Sequence, residues 1–147
     1  MRLSTKGRYG ARAMLDLALN FGNEPVLLRD IARRQEVSEK YLEHSISALR
    51  KAGLVRSIRG ARGGYILAKS PSEIRLSKIM EVLEGSMAPV DCVDDARVCH
   101  RVNLCVTRDI WAKMKEAIDN ILESITLQDM VEQQKEKESS KAIVYDI

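Results

Sequence analysis

The chain has 147 residues, of which 45% are hydrophobic and 31% are charged, and its formal net charge is +3. This size and composition are typical of a soluble globular protein with one domain, or with one domain and an extension. The first residues lack the apolar run of a secretory signal, and no apolar segment approaches the ~20 residues of a membrane span. We therefore expect neither an exported nor a membrane protein, and three cysteines without an export signal place the chain in a reducing cytoplasm.

Charge is distributed unevenly along the chain. Residues 1–75 hold 15 Lys and Arg against 7 Asp and Glu, a balance of +8. Residues 76–147 hold 9 against 14, a balance of −5. A basic first half predicts a polyanionic partner, most simply nucleic acid, although a solvated charged surface without a partner is the alternative.

Helical periodicity organises the first half. Apolar residues spaced three or four apart predict a first helix around residues 11–18 and a short second helix around residues 28–32. After a tight turn at residues 35–37, Ser38 is a suitable N-cap for a third helix, because its side-chain oxygen can accept a free backbone N–H. Two helices joined by so short a turn, the second with an outward polar face, predict a helix-turn-helix.

The polar face of the third helix has side chains that suit DNA. There Glu43 could accept a hydrogen bond from a cytosine amino group, and His44 could bond to a base edge or a phosphate. Lys40 and Tyr41 also point outward in this prediction, and Arg50 suits a phosphate near the end of the helix. Two alternatives remain open, since Tyr41 could lie partly in the core and an isolated His44 could be an ordinary surface residue.

Two short strands are predicted after the third helix, at residues 54–58 and 65–67. The segment between them is Arg59-Gly60-Ala61-Arg62-Gly63-Gly64, so glycines permit a tight turn while two arginines project from its tip. An arginine at such a tip suits a narrow, electronegative minor groove. The pattern predicts a hairpin wing, because a phosphate-binding loop would need a Lys-Ser/Thr ending and a strand–helix context that are both missing.

The second half is predicted to contain further helices on either side of a polar loop. One apolar stripe runs over residues 76–83, and another keeps helical spacing over residues 110–125. A one-sided stripe of that length predicts a partner helix, most simply in a symmetric homodimer, with packing against the chain's own first domain as the alternative. Thr126 begins a capping-box-like motif for a short final helix, and the polar run from residue 133 predicts a disordered tail.

All three cysteines lie in the polar loop, as Cys92, Cys99 and Cys105, with the spacing C-x6-C-x5-C. Thiolates bind soft metals, and three on one short loop can close around a single cofactor. Their odd number argues against a simple disulfide framework. A metal or redox site is therefore predicted; direct thiol oxidation and a structural zinc site with His100 are the alternatives, although the missing C-x2-C pair counts against zinc.

The ordered set of these motifs resembles the IscR-type iron–sulfur cluster-sensing regulators, a family of dimeric winged helix-turn-helix transcription factors. The resemblance covers about the first 130 residues, and it is carried by the segments Met1-Arg-Leu-Ser-Thr-Lys-Gly-Arg-Tyr9, Tyr41-Leu-Glu43, Leu49-Arg-Lys-Ala-Gly-Leu-Val55, Arg59-Gly60 with Gly63-Gly64-Tyr65, and the cysteine trio. It implies a homodimer whose long helices pair, with a cluster on the cysteine loop. A [2Fe-2S] cluster is favoured over a [4Fe-4S] cluster, and the expected targets are genes for cluster assembly or for iron and redox homeostasis.

The resemblance also assigns residues to roles. Cys92, Cys99 and Cys105 match the three cluster thiolates, and Ser38, Tyr41, Glu43 and Arg59 match DNA-facing positions. Together with the residue-based predictions, the expected DNA-binding set is Ser38, Lys40, Tyr41, Glu43, His44, Arg50, Arg59, Gly60 and Arg62. Two copies of the third helix and wing would read a pseudo-palindromic double-stranded operator.

The sequence departs from the family pattern at the cluster and on the reading helix. The family has five residues between its first two cysteines, whereas six separate Cys92 from Cys99. Its fourth ligand is a histidine in the place of Arg108, and related nitric-oxide sensors use an acidic residue in the place of Arg8; a guanidinium cannot replace either as a ligand. The fourth ligand therefore stays open, with His100 first among Asp91, Asp94, Asp95, water, a small thiol and a residue of the partner subunit. Lys40 and His44 replace smaller or neutral groups, so the operator can differ.

The expected fold is mainly α with a small β-hairpin wing: a winged helix-turn-helix domain at residues 1–75, a cysteine loop and dimerisation helix at 76–132, and a disordered tail at 133–147. An enzyme or electron carrier is the rival class, but the sequence offers no catalytic constellation and no cofactor fingerprint for it. A cysteine-biosynthesis regulator that works through a bound enzyme is the nearest alternative within the family, and it would not need the cysteine trio. A DNA-binding regulator rather than an enzyme is therefore expected.

Overall fold

A computed structural model of the chain describes residues 2–146, with side-chain surroundings for residues 2–141. Its helices and strands, in chain order, are α1 (Thr5–Leu19), α2 (Leu28–Gln35), α3 (Glu39–Lys51), β1 (Val55–Ile58), β2 (Gly64–Leu67), α4 (Leu76–Glu84), α5 (Asp91–Asp94), α6 (Val106–Ser124) and α7 (Leu127–Asp146). Short 3-10 turns lie at Pro71–Glu73, Ala96–Val98 and Val102–Leu104. The predicted fold class, mainly α with one hairpin wing, is confirmed.

One hydrophobic core lies between α1, α3 and α4, and α2, the hairpin and the start of α7 close its sides. The inward stripe of α3 is buried as its spacing predicts, with Leu42, Ile46 and Leu49 each no more than 2% exposed. Met14 of α1 and Ile79 of α4 meet this stripe in the core cluster. Burial of side chains of this size supplies the main driving force for folding the domain.

A buried carboxylate fixes the end of α2 on α1. Asp16 is 2% exposed, and its two oxygens accept hydrogen bonds from Arg34 at 2.7 and 3.0 Å and from the Gln35 amide at 3.2 Å. The hydrogen bond with Asp16 raises the pKa of Arg34, which stays charged. Because Gln35 is the last residue of α2, these bonds set where the turn of the helix-turn-helix begins.

We expect the substitution Asp16→Ala to lower the free energy of unfolding by about 2 kcal/mol, because charge-assisted hydrogen bonds to a buried carboxylate are lost. The loss stays below that of a fully buried ion pair, since the Arg34 side chain is 40% exposed and regains water. Asp30→Ala is the control, because its pair with the exposed Arg33 should contribute less than about 1 kcal/mol. Urea unfolding curves for both variants test this, and equal losses would contradict the structural role of Asp16.

The turn between α2 and α3 is closed by one residue in the left-handed conformation and by a backbone hydrogen bond. Glu36 adopts the left-handed conformation at φ 54°, and the N–H of Val37 bonds back to the carbonyl of Ala32 at 3.0 Å. Ser38 stands at the N-cap position of α3, as predicted. Its side chain, however, makes no capping hydrogen bond within residues 2–141, so the prediction that its side-chain oxygen caps α3 is wrong.

The wing is an antiparallel pair in which Val55 lies opposite Leu67 and Ile58 lies opposite Gly64. Its predicted strand bounds differ from the observed ones by one residue at a single end of each strand. Tyr65 also exchanges two backbone hydrogen bonds with Val26, at 2.9 and 2.7 Å, so the hairpin is anchored to the segment before α2. Glycine is required at position 64, because a Cβ there would stand 2.5 Å from the Val26 carbonyl oxygen.

The predicted capping box at the start of α7 is confirmed. The N–H of Asp129 donates to Thr126 Oγ1 at 3.1 Å, and the N–H of Thr126 donates to Asp129 Oδ2 at 2.9 Å. Leu127 and Val131 then bury against the core. The helix continues to Asp146, over residues for which the sequence predicts a disordered tail.

The extension of α7 has a physical basis in its side chains. The buried first turns nucleate the helix, and pairs spaced by four residues support it farther on, such as Gln134 donating to Glu138 at 3.0 Å.

Residues 1 and 147, the ends of the first and third predicted segments, lie outside the described residues. The division of the chain at residues 75 and 132 stays a prediction. Among residues 2–146, no helix is both long and apolar enough to cross a membrane.

Candidate DNA interface and cysteine loop

The structure places the predicted DNA-binding residues on one helix and one hairpin tip. Ser38 precedes α3, while Lys40, Tyr41, Glu43, His44 and Arg50 lie on it, and Arg59, Gly60 and Arg62 lie in the loop of the wing; all nine are exposed. Tyr41 is 58% exposed, which excludes the alternative that it lies partly in the core. The buried stripe of α3 therefore turns its polar face to solvent, as the helix-turn-helix prediction requires.

The tip of the wing presents its two arginines differently. Gly60 adopts φ +112°, and the N–H of Gly63 closes the loop on the Gly60 carbonyl at 3.0 Å. Arg62 Nη1 lies 3.5 Å from Glu24 Oε1, an exposed ion pair that holds it only weakly. Arg59 has no hydrogen bond or ion pair with any of residues 2–141, so its guanidinium is available to a ligand.

A groove separates the first turn of α1 from α3. Its volume is about 470 Å³, and it is lined by Lys6, Tyr41, His44, Ser47, Ala48 and Lys51. Lys6 was not among the predicted site residues, because α1 and α3 are distant in sequence and only the folded chain brings them together. Two sequence signals included this residue, the basic balance of residues 1–75 and the segment Met1–Tyr9 of the family resemblance, but neither assigned it to the site.

The three cysteines occupy the ends of short elements in the loop between α4 and α6. Cys92 lies in α5, Cys99 ends the 3-10 turn Ala96–Val98, and Cys105 is the N-cap of α6. All three are free thiols of intermediate exposure. They are therefore accessible to a cofactor or an oxidant, as the sequence predicts, without being held in a disulfide.

Arg108 joins the segments of the first and third cysteines. Its Nε donates to the carbonyl of Cys92 at 3.0 Å, and its own helix, α6, begins beside Cys105. Cys105 Sγ lies 3.2 Å from Thr107 Oγ1, and hydrogen bonds from that hydroxyl and from the backbone N–H of Arg108 lower the pKa of Cys105. A thiolate is the form that binds metals and reacts with oxidants, so both predicted chemistries are favoured at this thiol.

The three cysteines are the right type of ligand for an iron–sulfur cluster, but their positions in this structure do not form a cluster site. Three thiols on one exposed loop are the ligands that soft iron sites use. Within the described residues, however, no group of three or more His, Cys, Asp or Glu stands close enough to hold a metal ion. The loop must therefore close further before Cys92, Cys99 and Cys105 could reach one group.

The candidates for a fourth ligand are not equally available. His100 is exposed in the turn after Cys99. Asp95 is occupied, because Arg97 donates to its two oxygens at 3.0 and 3.2 Å and lowers the pKa of this carboxyl. Asp91 and Asp94 lie at the two ends of α5, and both are exposed. Among the described residues, the structure brings none of these candidates together with the three thiols, and His100 as fourth ligand stays a prediction.

An apolar stripe on α6 faces solvent. Val106, Ile110, Met114 and Ile121 are 72%, 47%, 40% and 60% exposed, and no residue of α6 is buried. The other side of the helix packs on α4, where Ser77 Oγ donates to Glu123 at 2.5 Å. Both alternatives of the sequence prediction are therefore compatible with this helix, since one side contacts its own chain and the other remains open.

Comparison with known proteins identifies the family. The Rrf2 family, described as an iron-dependent transcriptional regulator, matches residues 3–133. The HTH-type transcriptional regulator IscR of Yersinia pseudotuberculosis is similar, with 42% identity over 134 residues that cover 91% of this chain and 81% of that protein. The structure of T. potens IscR is 48% identical and covers 93% of this chain and 90% of its own, with a TM-score of 0.78.

A second kind of relative is equally similar. The structure of CymR, described as the global cysteine regulator of B. subtilis, is 41% identical and covers 90% of this chain and 98% of its own, with a TM-score of 0.77. These relatives are named as regulators and not as enzymes. Their winged-helix architecture matches the hairpin and helices described above. The chain belongs to the Rrf2 family of transcriptional regulators.

Proposed function

We propose that this regulator binds its operator in a manner controlled by an iron–sulfur cluster on the loop of Cys92, Cys99 and Cys105, and that it regulates genes for cluster assembly or for iron and redox homeostasis. The observation that carries the proposal is the set of three free thiols on one accessible loop between α4 and α6. The similarity to IscR proteins supports the same chemistry. A bound cluster would join the three thiolates through its iron atoms, and oxidants or nitric oxide could destroy the cluster and release them.

The chain's own residues connect that loop to the DNA-binding half. Arg108 holds the carbonyl of Cys92, and α6, which begins beside Cys105, packs along α4. Because α4 contacts both α1 and α3, closing of residues 91–106 would shift the support of the recognition helix. Loss of that closure would then favour a second arrangement with different operator affinity.

Operator recognition is assigned to α3 and the wing. Lys40, Glu43 and His44 would face the major groove, and Arg59 would enter the neighbouring minor groove. Their exposure, and the absence of an intramolecular partner for Arg59 within residues 2–141, support this assignment. Ser38, Tyr41, Arg50, Gly60 and Arg62 complete the proposed surface, and their contacts with phosphates would fix the register on the DNA.

A homodimer is part of the proposal. The exposed stripe of Val106, Ile110, Met114 and Ile121 repeats every four or seven residues along α6, which suits pairing with the same helix of a second chain. A two-fold dimer would present two α3 helices to successive major grooves. The expected operator is therefore pseudo-palindromic double-stranded DNA.

A cluster-free redox regulator is the second candidate. It is supported by the three free, accessible thiols, which could react with an oxidant directly. The similarity to CymR, a global cysteine regulator, is also compatible with control that does not use a cluster. In this case oxidation of the loop cysteines would change operator affinity directly.

An absorption spectrum, with iron and sulfide analysis, of protein purified without oxygen separates the two candidates. We expect visible charge-transfer bands and equal amounts of iron and sulfide, and the amount per chain distinguishes a [2Fe-2S] from a [4Fe-4S] cluster. A colourless, iron-free protein that also resists anaerobic reconstitution would overturn the cluster proposal. The thiol switch would then be the better explanation, and the DNA-binding assignment would be unaffected.

A further inference from the structure

We propose that the first turn of α1 belongs to the DNA interface, where Lys6 and Lys51 bind a backbone phosphate, and that Glu84 is the residue that positions this turn. The inference rests on the proposed DNA interface but not on the cluster, because it concerns operator binding in either state of the cysteine loop.

The groove between α1 and α3 has the charge and donors that a phosphate needs. Its lining contains two ammonium groups, an imidazole and two hydroxyls, and it contains no carboxylate. Lys6 and Lys51 are exposed and form no ion pair with any of residues 2–141. A phosphodiester oxygen accepts hydrogen bonds from such groups, and the exchange releases counterions from the DNA.

The groove is continuous with the reading face of α3. Tyr41 and His44 belong to both, since they line the groove and lie on the polar side of the recognition helix. A DNA strand at the edge of the major groove that α3 enters would therefore pass Lys6. This places the sugar–phosphate backbone, rather than a base edge, in the groove.

The backbone of Lys6 is fixed from the inside of the protein. The hydroxyl of Ser45, a fully buried residue of α3, donates to the Lys6 carbonyl at 2.8 Å. This bond ties the first turn of α1 directly to the recognition helix. The Lys6 side chain is left free on the solvent side, so its ammonium group moves with α3.

Glu84 holds the same turn from the other side. Its Oε1 accepts hydrogen bonds from the Ser4 N–H at 2.8 Å and from the Ser4 hydroxyl at 2.6 Å, and Ser4 Oγ in turn accepts from the Gly7 N–H at 3.0 Å. A Cβ on Gly7 would stand 1.9 Å from this carboxylate oxygen, so a larger residue at position 7 would displace the Glu84 carboxylate. Glu84 therefore holds Ser4 directly and Gly7 through Ser4, and Lys6 lies between these two residues in the chain.

The salt dependence of DNA binding tests the phosphate contact. The probes are a duplex selected from random DNA by the wild-type protein and an unrelated duplex, both titrated with full-length protein over a range of KCl concentrations. Lys6→Ala should lower the slope of log affinity against log salt by about 2 per dimer, since each protomer loses one phosphate contact. The ratio of specific to non-specific affinity should not change, because phosphates carry no sequence information.

Two further variants make the assignment specific. Lys135→Ala removes an exposed lysine of α7 that does not line the groove, and its slope should equal that of wild type. Glu84→Ala should reduce the slope as Lys6→Ala does, and the double variant should show no further loss, because both changes remove one contact. Glu84→Gln keeps an acceptor oxygen for Ser4 and should restore the slope.

The outcomes separate this inference from the DNA interface itself. A wild-type slope for Lys6→Ala, in protein that binds the selected duplex, overturns the phosphate contact and leaves α3 and the wing in place. A Glu84→Ala variant that melts earlier but keeps the wild-type slope overturns the positioning role, since a purely stabilising cap would behave that way. Failure of the wild-type protein to select any duplex would sink the DNA interface and this inference together.

Discussion

Replacing Cys92, Cys99 and Cys105 together by alanine should give a folded protein that has lost its visible absorption and its iron. The variant should also show the same operator affinity before and after exposure to oxygen or nitric oxide. In the wild type we expect those two affinities to differ by about tenfold, which is an ordinary coupling free energy between two sites. Anaerobic absorption, iron analysis and fluorescence anisotropy with a labelled operator measure the three quantities.

The physical reason is that these are the only thiols in the chain, while their side chains do not support the hydrophobic core. All three are half-exposed and none belongs to the core cluster. Removing them should therefore leave the melting temperature close to that of cluster-free wild-type protein, whereas a bound cluster would itself stabilise the fold. Val98→Ala is the matched control, because Val98 is a small, 58% exposed side chain on the same loop.

Three results would change the interpretation. A triple variant that retains iron would show that the ligands lie elsewhere, and a triple variant that fails to fold would make the site structural. A colourless wild type whose affinity still responds to peroxide, with the response lost in the variant, would establish the thiol switch. If the cluster is present, His100→Ala tests a histidine fourth ligand, since an unchanged spectrum would exclude His100 from the ligand set.

The sequence predicted the fold of the first half of the chain well because local signals agree there with the tertiary structure. The stripe of Leu42, Ile46 and Leu49 can be buried only if the polar side of α3 faces outward. The wing follows from two short apolar runs around a glycine-rich segment, and glycine at position 64 is explained by the nearby Val26 backbone. Here spacing, turn residues and burial all indicate the same structure.

Features that depend on contacts between distant segments could not be predicted in the same way. Lys6 joins the recognition face only because Ser45 and Glu84 hold the first turn of α1, and no sequence spacing reports those bonds. Polarity predicts disorder for the tail, but it does not report that the buried Leu127 and Val131 begin a helix which polar residues can continue. Conversely, the cysteine spacing indicates a shared ligand, but the described residues do not assemble that site without one. Metal-binding loops commonly close only when the metal binds.

The double substitution Ile110→Glu and Ile121→Glu should convert the protein into a monomer. Both side chains lie on the exposed stripe of α6, with 47% and 60% of their surface open to solvent. In a two-fold helix pair, four carboxylates would face one another in an apolar interface, and burying them costs several kcal/mol. We expect the dimer dissociation constant to rise at least about 100-fold, as measured by analytical ultracentrifugation.

Operator affinity should fall with the dimer. A monomer holds one half-site, so the second half-site no longer binds at the high effective concentration that the linked chain provides, and affinity should drop about 100-fold. Affinity for an isolated half-site should stay unchanged, because α3 and the wing are distant in sequence from the substitutions and the core of their domain contains neither Ile110 nor Ile121. Glu116→Gln changes one charge on the same helix outside the exposed stripe and serves as the control. A double variant that remains dimeric would show that the open face of α6 is not the contact between subunits, and the pseudo-palindromic operator would then need another source of symmetry.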